Sequence, residues 1–130
     1  MKAPERNTAS EQSVVIVDDD PAVLNSLKFS LEIEGFSVLA YANGAQLLAS
    51  EDWRQSGCLV IDYGLPDTDG YELLAEIRKD GGAMPAILIT THPSLHLRNR
   101  ASAAGIPIVE KPLLGNALTE AIRRALVPKN

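Results

Sequence analysis

Six of the eight aspartates in this chain fall in two short segments, Asp18-Asp19-Asp20 in one and Asp62, Asp67 and Asp69 in the other. Asp18 and Asp62 each follow an apolar run directly, Thr90 closes another such run, and Lys111 lies just past a fourth. Carboxylates converging from Asp18, Asp19 and Asp62 would repel one another and raise one another's pKa unless a positive charge sat among them. A hard divalent cation answers that need. Magnesium takes oxygen ligands and keeps several waters, which suits one or two carboxylates, a backbone carbonyl from Tyr63-Gly64 and phosphate oxygens. Lys111 adds a mobile ammonium for another oxygen of an arriving phosphoryl group, and the Thr90 hydroxyl could bond a third. These parts describe phosphoryl transfer, a reaction that depends mainly on positioning and charge neutralisation. With no serine or histidine at these positions, the available nucleophile is a carboxylate, and its product an acyl phosphate.

Convergence requires elements that end at these residues. Ser13-Val14-Val15-Ile16-Val17 is mostly β-branched and apolar, as in a strand buried on both faces. Asp20-Pro21 then starts a helix, with Asp20 as its cap, Val23, Leu24, Leu27 and Leu31 as its apolar stripe, and Gly35 as its stop. A second strand runs from Phe36 to Ala42, and a short helix through Leu47 and Leu48 follows Asn43-Gly44. Cys58 to Ile61 is the third strand, ending at Asp62, and Tyr71 to Lys79 the next helix. Ala86 to Ile89 is the fourth strand, ending at Thr90, and 94–104 a helix with a thin, mostly alanine face. Ile106 to Val109 is a fifth strand, placed at an edge by Pro107. Leu114, Leu118, Ala121, Ile122 and Ala125 stripe the last helix. Five strands alternating with five helices predict an α/β fold, a doubly wound parallel sheet with helices on both faces. Right-handed crossovers leave few ways to build it. Ligands of such sheets bind beyond the carboxyl ends of the strands, where Asp18, Asp19, Asp62, Thr90 and Lys111 all stand.

Composition narrows the partners. At 130 residues the chain has the size of one domain, and 45% hydrophobic content is ordinary for a soluble protein. Seventeen acidic against twelve basic residues, a net charge of −5, and no dense basic run argue against nucleic-acid binding. No apolar stretch approaches the ~20 residues needed to cross a bilayer, and the first twelve residues lack a secretion signal's apolar segment, so the expected location is cytoplasmic. One cysteine, Cys58, makes neither an internal disulfide nor a multi-thiolate zinc site and reads as inert packing.

On these residues the chain resembles the receiver domain of two-component response regulators, of the kind found in chemotaxis regulators, over about residues 13–126. VIVDDDPAV is similar to the family's first strand and acidic pair, LVIDYGLPDTDG to its phosphoacceptor segment, ILIT to the strand ending in its switch hydroxyl, and VEKP to its lysine-proline. The resemblance implies a flavodoxin-like strand order 2-1-3-4-5. It implies a Mg2+ site built from Asp18, Asp19, Asp62 and the Gly64 carbonyl, with Asp19 a direct ligand and Asp18 acting through water. It makes Asp62 the phosphoacceptor, with Thr90 and Lys111 completing the reacting group, and Pro112 the site of a frequent cis peptide bond. The phosphoryl donor it implies is a histidine kinase or a histidine phosphotransfer protein. A downstream target protein, and a homodimer through the 94–126 surface, complete the expected partners. Three departures stand out. Ile108 takes the place, three residues before the lysine, where the family usually has an aromatic ring, and the stretch from Gly105 to Lys111 is one residue shorter. Leu113 likewise replaces a common phenylalanine. Thr90 movement would then reach the last helix by repacking rather than by an aromatic rotamer change.

Simpler roles account for other residues. Asp67 and Asp69, in a Gly/Pro-rich loop, read as turn or cap residues. His92, beside Pro93, reads as a loop residue, with contact at the site entrance as the lesser alternative. Trp53 is expected to pack locally in a polar loop, where an exposed ring could anchor a partner. Arg98 and Arg100 read equally as solvated charges or as partner surface. The expected organisation is a flexible leader over 1–12, a receiver domain over 13–127 and a tail over 128–130, with no output domain. Two other functions compete. A Mg-dependent aspartyl-phosphate phosphohydrolase, resembling the haloacid-dehalogenase class, needs a second acid two residues after the nucleophile, where Gly64 stands, and usually a cap domain. A phosphorylation-independent interaction module would be expected to lose an acidic residue, Thr90 or Lys111, and all are present. Nucleotide-binding glycine motifs are missing.

Overall fold

The structure, a computed structural model, describes residues 12–111, 113 and 115–127. Five strands, β1 (Ser13–Val17), β2 (Ser37–Tyr41), β3 (Cys58–Asp62), β4 (Ala86–Thr90) and β5 (Ile108–Glu110), pair in parallel in the order β2-β1-β3-β4-β5. They alternate with α1 (Pro21–Ile33), α2 (Gly44–Ala49), α3 (Gly70–Lys79), α4 (Leu95–Ala103) and α5 (Ala117–Leu126), and a short 3-10 turn over Asp52–Gln55 precedes β3. The order reverses between β1 and β3, and the crevice at that switch point lies at the carboxyl ends of the strands.

Alternation along the strands divides the core. Val14, Ile16, Cys58, Val60, Ile87 and Ile89 face α1 and α5, packing with Leu31, Leu118 and Ile122. Val15, Val17, Leu59, Ile61 and Leu88 face the opposite way, against Leu47, Trp53, Leu73, Leu74, Ile77 and Leu97. All five residues of β3 and of β4 are buried, so these central strands read as unbroken apolar runs. Each fully buried aliphatic side chain contributes about 1.5–3 kcal/mol relative to exposure. Burial also pushes the Cys58 thiol up to about 12, as befits an inert packing group.

Helix boundaries follow from side-chain caps. Asp20 accepts from the Ala22 and Val23 amides ahead of α1, Asn43 from Gln46 ahead of α2, Asp69 from Glu72 ahead of α3, and Ser94 from Leu97 ahead of α4. Gly35, at φ +102°, ends α1, and the Phe36 amide returns to the Leu31 carbonyl at 3.0 Å.

One strand boundary differs from expectation. β5 runs over 108–110 rather than 106–109, because Pro107 has no N–H for a ladder and contributes only its carbonyl, which accepts from Leu88 at 3.0 Å. Trp53 packs inward, as expected, and does not serve as an exposed anchor: the 3-10 turn points its ring into the core, where it is fully buried. Arg54 covers it instead, 4.6 Å over the indole, while donating to Glu51 and to Asp80. The expectations for Pro112, Leu114, most of the leader and the 128–130 tail lie outside the described residues.

Candidate functional site

Parallel register brings the acidic residues together. Val17 pairs with Ile61, so Asp18 and Asp62 leave β1 and β3 side by side and, by alternation, on the same face. Asp18 is fully buried and Asp62 nearly so, at 6% exposure. Asp19 is exposed, yet one carboxylate oxygen from each of Asp18, Asp19 and Asp62 lies within 4.8 Å of the others.

Lys111 reaches them from the far side of the sheet. Thr90 pairs with Glu110, and the Lys111 amide donates to the Thr90 carbonyl at 2.8 Å, which fixes where the lysine leaves β5. Its ammonium lies 3.0 Å from Asp18 Oδ2 and 3.3 Å from Asp62 Oδ2. Thr90 itself, also buried, meets the site through this backbone contact. The Gly64 amide donates to Asp62 Oδ1 at 3.3 Å, and the Asp20 amide to Asp18 Oδ1 at 2.9 Å.

The charges shape one another. Burial, followed by the Asp18 charge, raises the Asp62 pKa above the ordinary aspartate value, and Lys111 and the Gly64 amide only partly oppose them. For Lys111 burial works toward a lower pKa, but the hydrogen bonds and charges of Asp18 and Asp62 outweigh it and hold the ammonium above its usual value. Asp18 Oδ2 has the ammonium at ion-pair distance but no donor in hydrogen-bond geometry, a costly state for a fully buried oxygen. An all-oxygen cluster with an unsatisfied buried lone pair suits a hard divalent cation such as Mg2+. Asp18, Asp19 and Asp62 are the side chains that could hold it.

The loop after β3 is closed at its base. The Gly70 amide donates to the Tyr63 carbonyl at 2.8 Å, and Gly64 forms an isolated antiparallel bridge with Asp69. Gly70 is required by space: a Cβ there would stand 2.7 Å from the Asp62 carbonyl oxygen and 2.9 Å from Tyr63 Cα, both backbone atoms. Gly70→Ala is therefore expected to cost about 1–3 kcal/mol in urea unfolding. Wild-type stability in that variant would show that the β3–α3 turn yields without cost.

Asp67 does more than turn the chain. Its Oδ1 accepts from the Gly44 amide at 3.1 Å and its Oδ2 from the Ala45 amide at 2.9 Å, joining the β3–α3 loop to the start of α2. Nothing in the local sequence announces this pairing, since the donors lie more than twenty residues away. The Gly44 bond lowers the Asp67 pKa; desolvation opposes it, and the Ala45 bond adds to the lowering. A depressed carboxyl stabilises the fold above its unfolded pKa, and that contribution is lost as pH falls through the folded value. The Gly44 and Ala45 amide resonances should accordingly shift together on acidification, with a midpoint below the ordinary aspartate value. A midpoint at or above that value would contradict the bonded geometry.

The remaining candidates sit apart. His92 is exposed in the β4–α4 loop, and among the described residues no hydrogen bond joins it to the cluster. Arg98 makes an exposed ion pair with Glu110 at 3.3 Å, and the Arg100 guanidinium stacks 4.0 Å over Tyr71. Ile108 is half-buried and packs on the core.

Comparison with known proteins gives a consistent result. A family described as the response regulator receiver domain matches residues 14–123. The transcriptional regulatory protein FixJ of Rhizobium meliloti is 35% identical over 117 residues, covering 89% of this chain and 57% of FixJ. A CheY-like receiver domain protein from Methanospirillum hungatei superposes with a TM-score of 0.78 at 33% identity, over 88% of this chain and 93% of that one. The response regulator TrrA of Thermotoga maritima, solved with Mg2+ and BeF, gives 0.74 at 26% identity, over 88% and 98% of the two chains. The chain spans between 26% and 57% of the length of the first curated relatives it matches.

Proposed function

Because this chain belongs to the response regulator receiver domain family, we propose that it is a two-component signalling switch in which Asp62 accepts a phosphoryl group. The donor in this reading is a phosphohistidine of a histidine kinase or histidine phosphotransfer protein in the cytoplasm. The observation that carries the proposal is the Asp18–Lys111–Asp62 cluster, held at the carboxyl edge of a parallel sheet by strand register. An Asp62 carboxylate oxygen attacks phosphorus, the P–N bond breaks, and its electron pair stays on the imidazole nitrogen of the donor. Asp18, Asp19 and Asp62, with the Gly64 carbonyl, would hold Mg2+, and TrrA, which was solved with Mg2+ and BeF, supports that assignment. When bound, the ion neutralises phosphoryl oxygens. Lys111, already beside Asp62, moves its ammonium onto another of those oxygens, and the Thr90 hydroxyl turns to a third.

One residue supports reading the chain as a switch rather than a turnover enzyme. Two residues past Asp62 stands Gly64, which has no side-chain acid to speed hydrolysis. The surface that responds is proposed to be 94–126, which carries Leu95 at 73% exposure and would receive a target protein or a second copy. With Ile108 at the usual aromatic position, movement of Thr90 would reach that surface by repacking of β5.

Acetyl phosphate with Mg2+, followed by intact mass, tests the reading. One labile phosphoryl adduct is expected, suppressed by EDTA. Failure to form an adduct from acetyl phosphate and from phosphohistidine donors would reject it.

A further inference from the structure

The loop from Tyr63 to Asp69 carries Gly64, and its base is closed by the Gly70–Tyr63 bond and the Gly64–Asp69 bridge. Its outer part is tied to another element at Asp67, whose two oxygens take the Gly44 and Ala45 amides of α2. Those amides are orphan donors of a helix first turn, and Asn43 satisfies a third, that of Gln46, at 2.8 Å. Packing reinforces the tie. Gly44 is buried, and a Cβ on it would lie 3.0 Å from Thr68 Cγ2. The β2–α2 connection is also bonded to the site, because the Asp18 amide donates to the Tyr41 carbonyl at 3.1 Å.

We propose that Asp67 is a positioning residue: by gripping the start of α2 it holds the β3–α3 loop in the conformation from which Gly64 and Asp62 take up Mg2+. The inference rests on the metal-site reading above and extends it to a residue outside the acidic cluster. Without the grip, ion binding has to order a Gly/Pro-containing loop, and the lost preorganisation appears as weaker affinity. Groups that orient ligands commonly change metal affinity by tenfold or more, and about tenfold is expected here.

Mg2+ titration of the whole chain, followed by amide NMR at Asp62 and Gly64, gives the dissociation constant for four proteins. Asp67→Ala should bind about tenfold more weakly than wild type. Asp67→Asn keeps an acceptor oxygen and should recover part of the loss. Asn43→Ala loosens the same end of α2 without touching the loop and should bind as wild type does. Metal-free hydrogen exchange supplies a second readout, with the Gly70 amide exchanging faster in Asp67→Ala. Wild-type affinity in Asp67→Ala, or an equal loss in Asn43→Ala, overturns the proposal. If wild type itself takes up no Mg2+, the metal-site reading fails, and unchanged Gly70 exchange in Asp67→Ala would then overturn the loop grip separately.

Discussion

Asp62→Asn is expected to give no phosphoryl adduct under any donor, and at the same time a more stable protein. The first effect follows from removing the only carboxylate among the described residues that is nearly buried, hydrogen-bonded to Lys111 and bonded to the Gly64 amide. Mass spectrometry after acetyl phosphate and Mg2+ should show unmodified chain, and an adduct persisting in the variant would place the acceptor elsewhere. The second follows from the raised Asp62 pKa, caused first by burial and then by the Asp18 charge. A carboxyl held above its ordinary value binds its proton more tightly folded than unfolded. Its ionisation therefore penalises the fold as pH rises through the raised value, and the penalty is absent below the unfolded pKa. The asparagine removes it while Asp18 keeps its ion pair with Lys111. In EDTA at neutral pH the variant should unfold at a higher urea concentration than wild type, the gain shrinking toward acid. Equal urea midpoints for the two proteins across that range would show that the buried charge costs nothing.

Lys111→Met acts in the opposite direction. Asp18 is fully buried and has no other cation near it among the ion pairs of the described residues. Truncating the ammonium leaves two inward carboxylates without their counter-charge, a change that commonly costs about 3–5 kcal/mol in buried pairs. Lys111 is 19% exposed, so the low end of that range is expected. Divalent cation should restore what the ammonium supplied. At a hundred times its dissociation constant, Mg2+ adds about 2.7 kcal/mol to any protein that binds it only when folded. In the methionine variant the ion no longer competes with Lys111 for Asp18 Oδ2, so its dissociation constant should fall and stability should depend more steeply on Mg2+. Urea unfolding with EDTA and with MgCl2 measures both. Wild-type stability in EDTA would mean that the acidic pair is tolerated without a counter-ion. Phosphorylation should be impaired in the same variant, which separates Lys111 from a purely structural lysine.

Much of the fold was legible because its signals are local. The apolar runs ending at Asp18, Asp62 and Thr90 are strands, and Asp20, Asn43, Asp69 and Ser94 cap the helices that follow strands β1 to β4. The one misplaced boundary has a local cause too. Pro107 shifted the start of β5 by withholding an amide, and of the two roles open to a tryptophan flanked by Asp52 and Arg54 the turn selected packing, by carrying its ring inward. Polar neighbours describe where the backbone runs, not which way one large ring points.

What the residues by themselves determined is the inventory and its edge: three carboxylates, a threonine and a lysine, each at or just past the end of a strand. Period-two alternation and strand-ending aspartates are properties of a few consecutive residues, so they can be read without the fold. Tertiary structure decided which of these groups touch. Register between β1 and β3 put Asp18 beside Asp62, the β4–β5 pairing delivered the Lys111 ammonium to both, and a loop folding back on α2 gave Asp67 its partners. Those contacts join residues far apart in the chain. They depend on how the layers close, because a distance of 3 Å, a depressed or raised pKa and an unsatisfied oxygen exist only once the sheet is assembled.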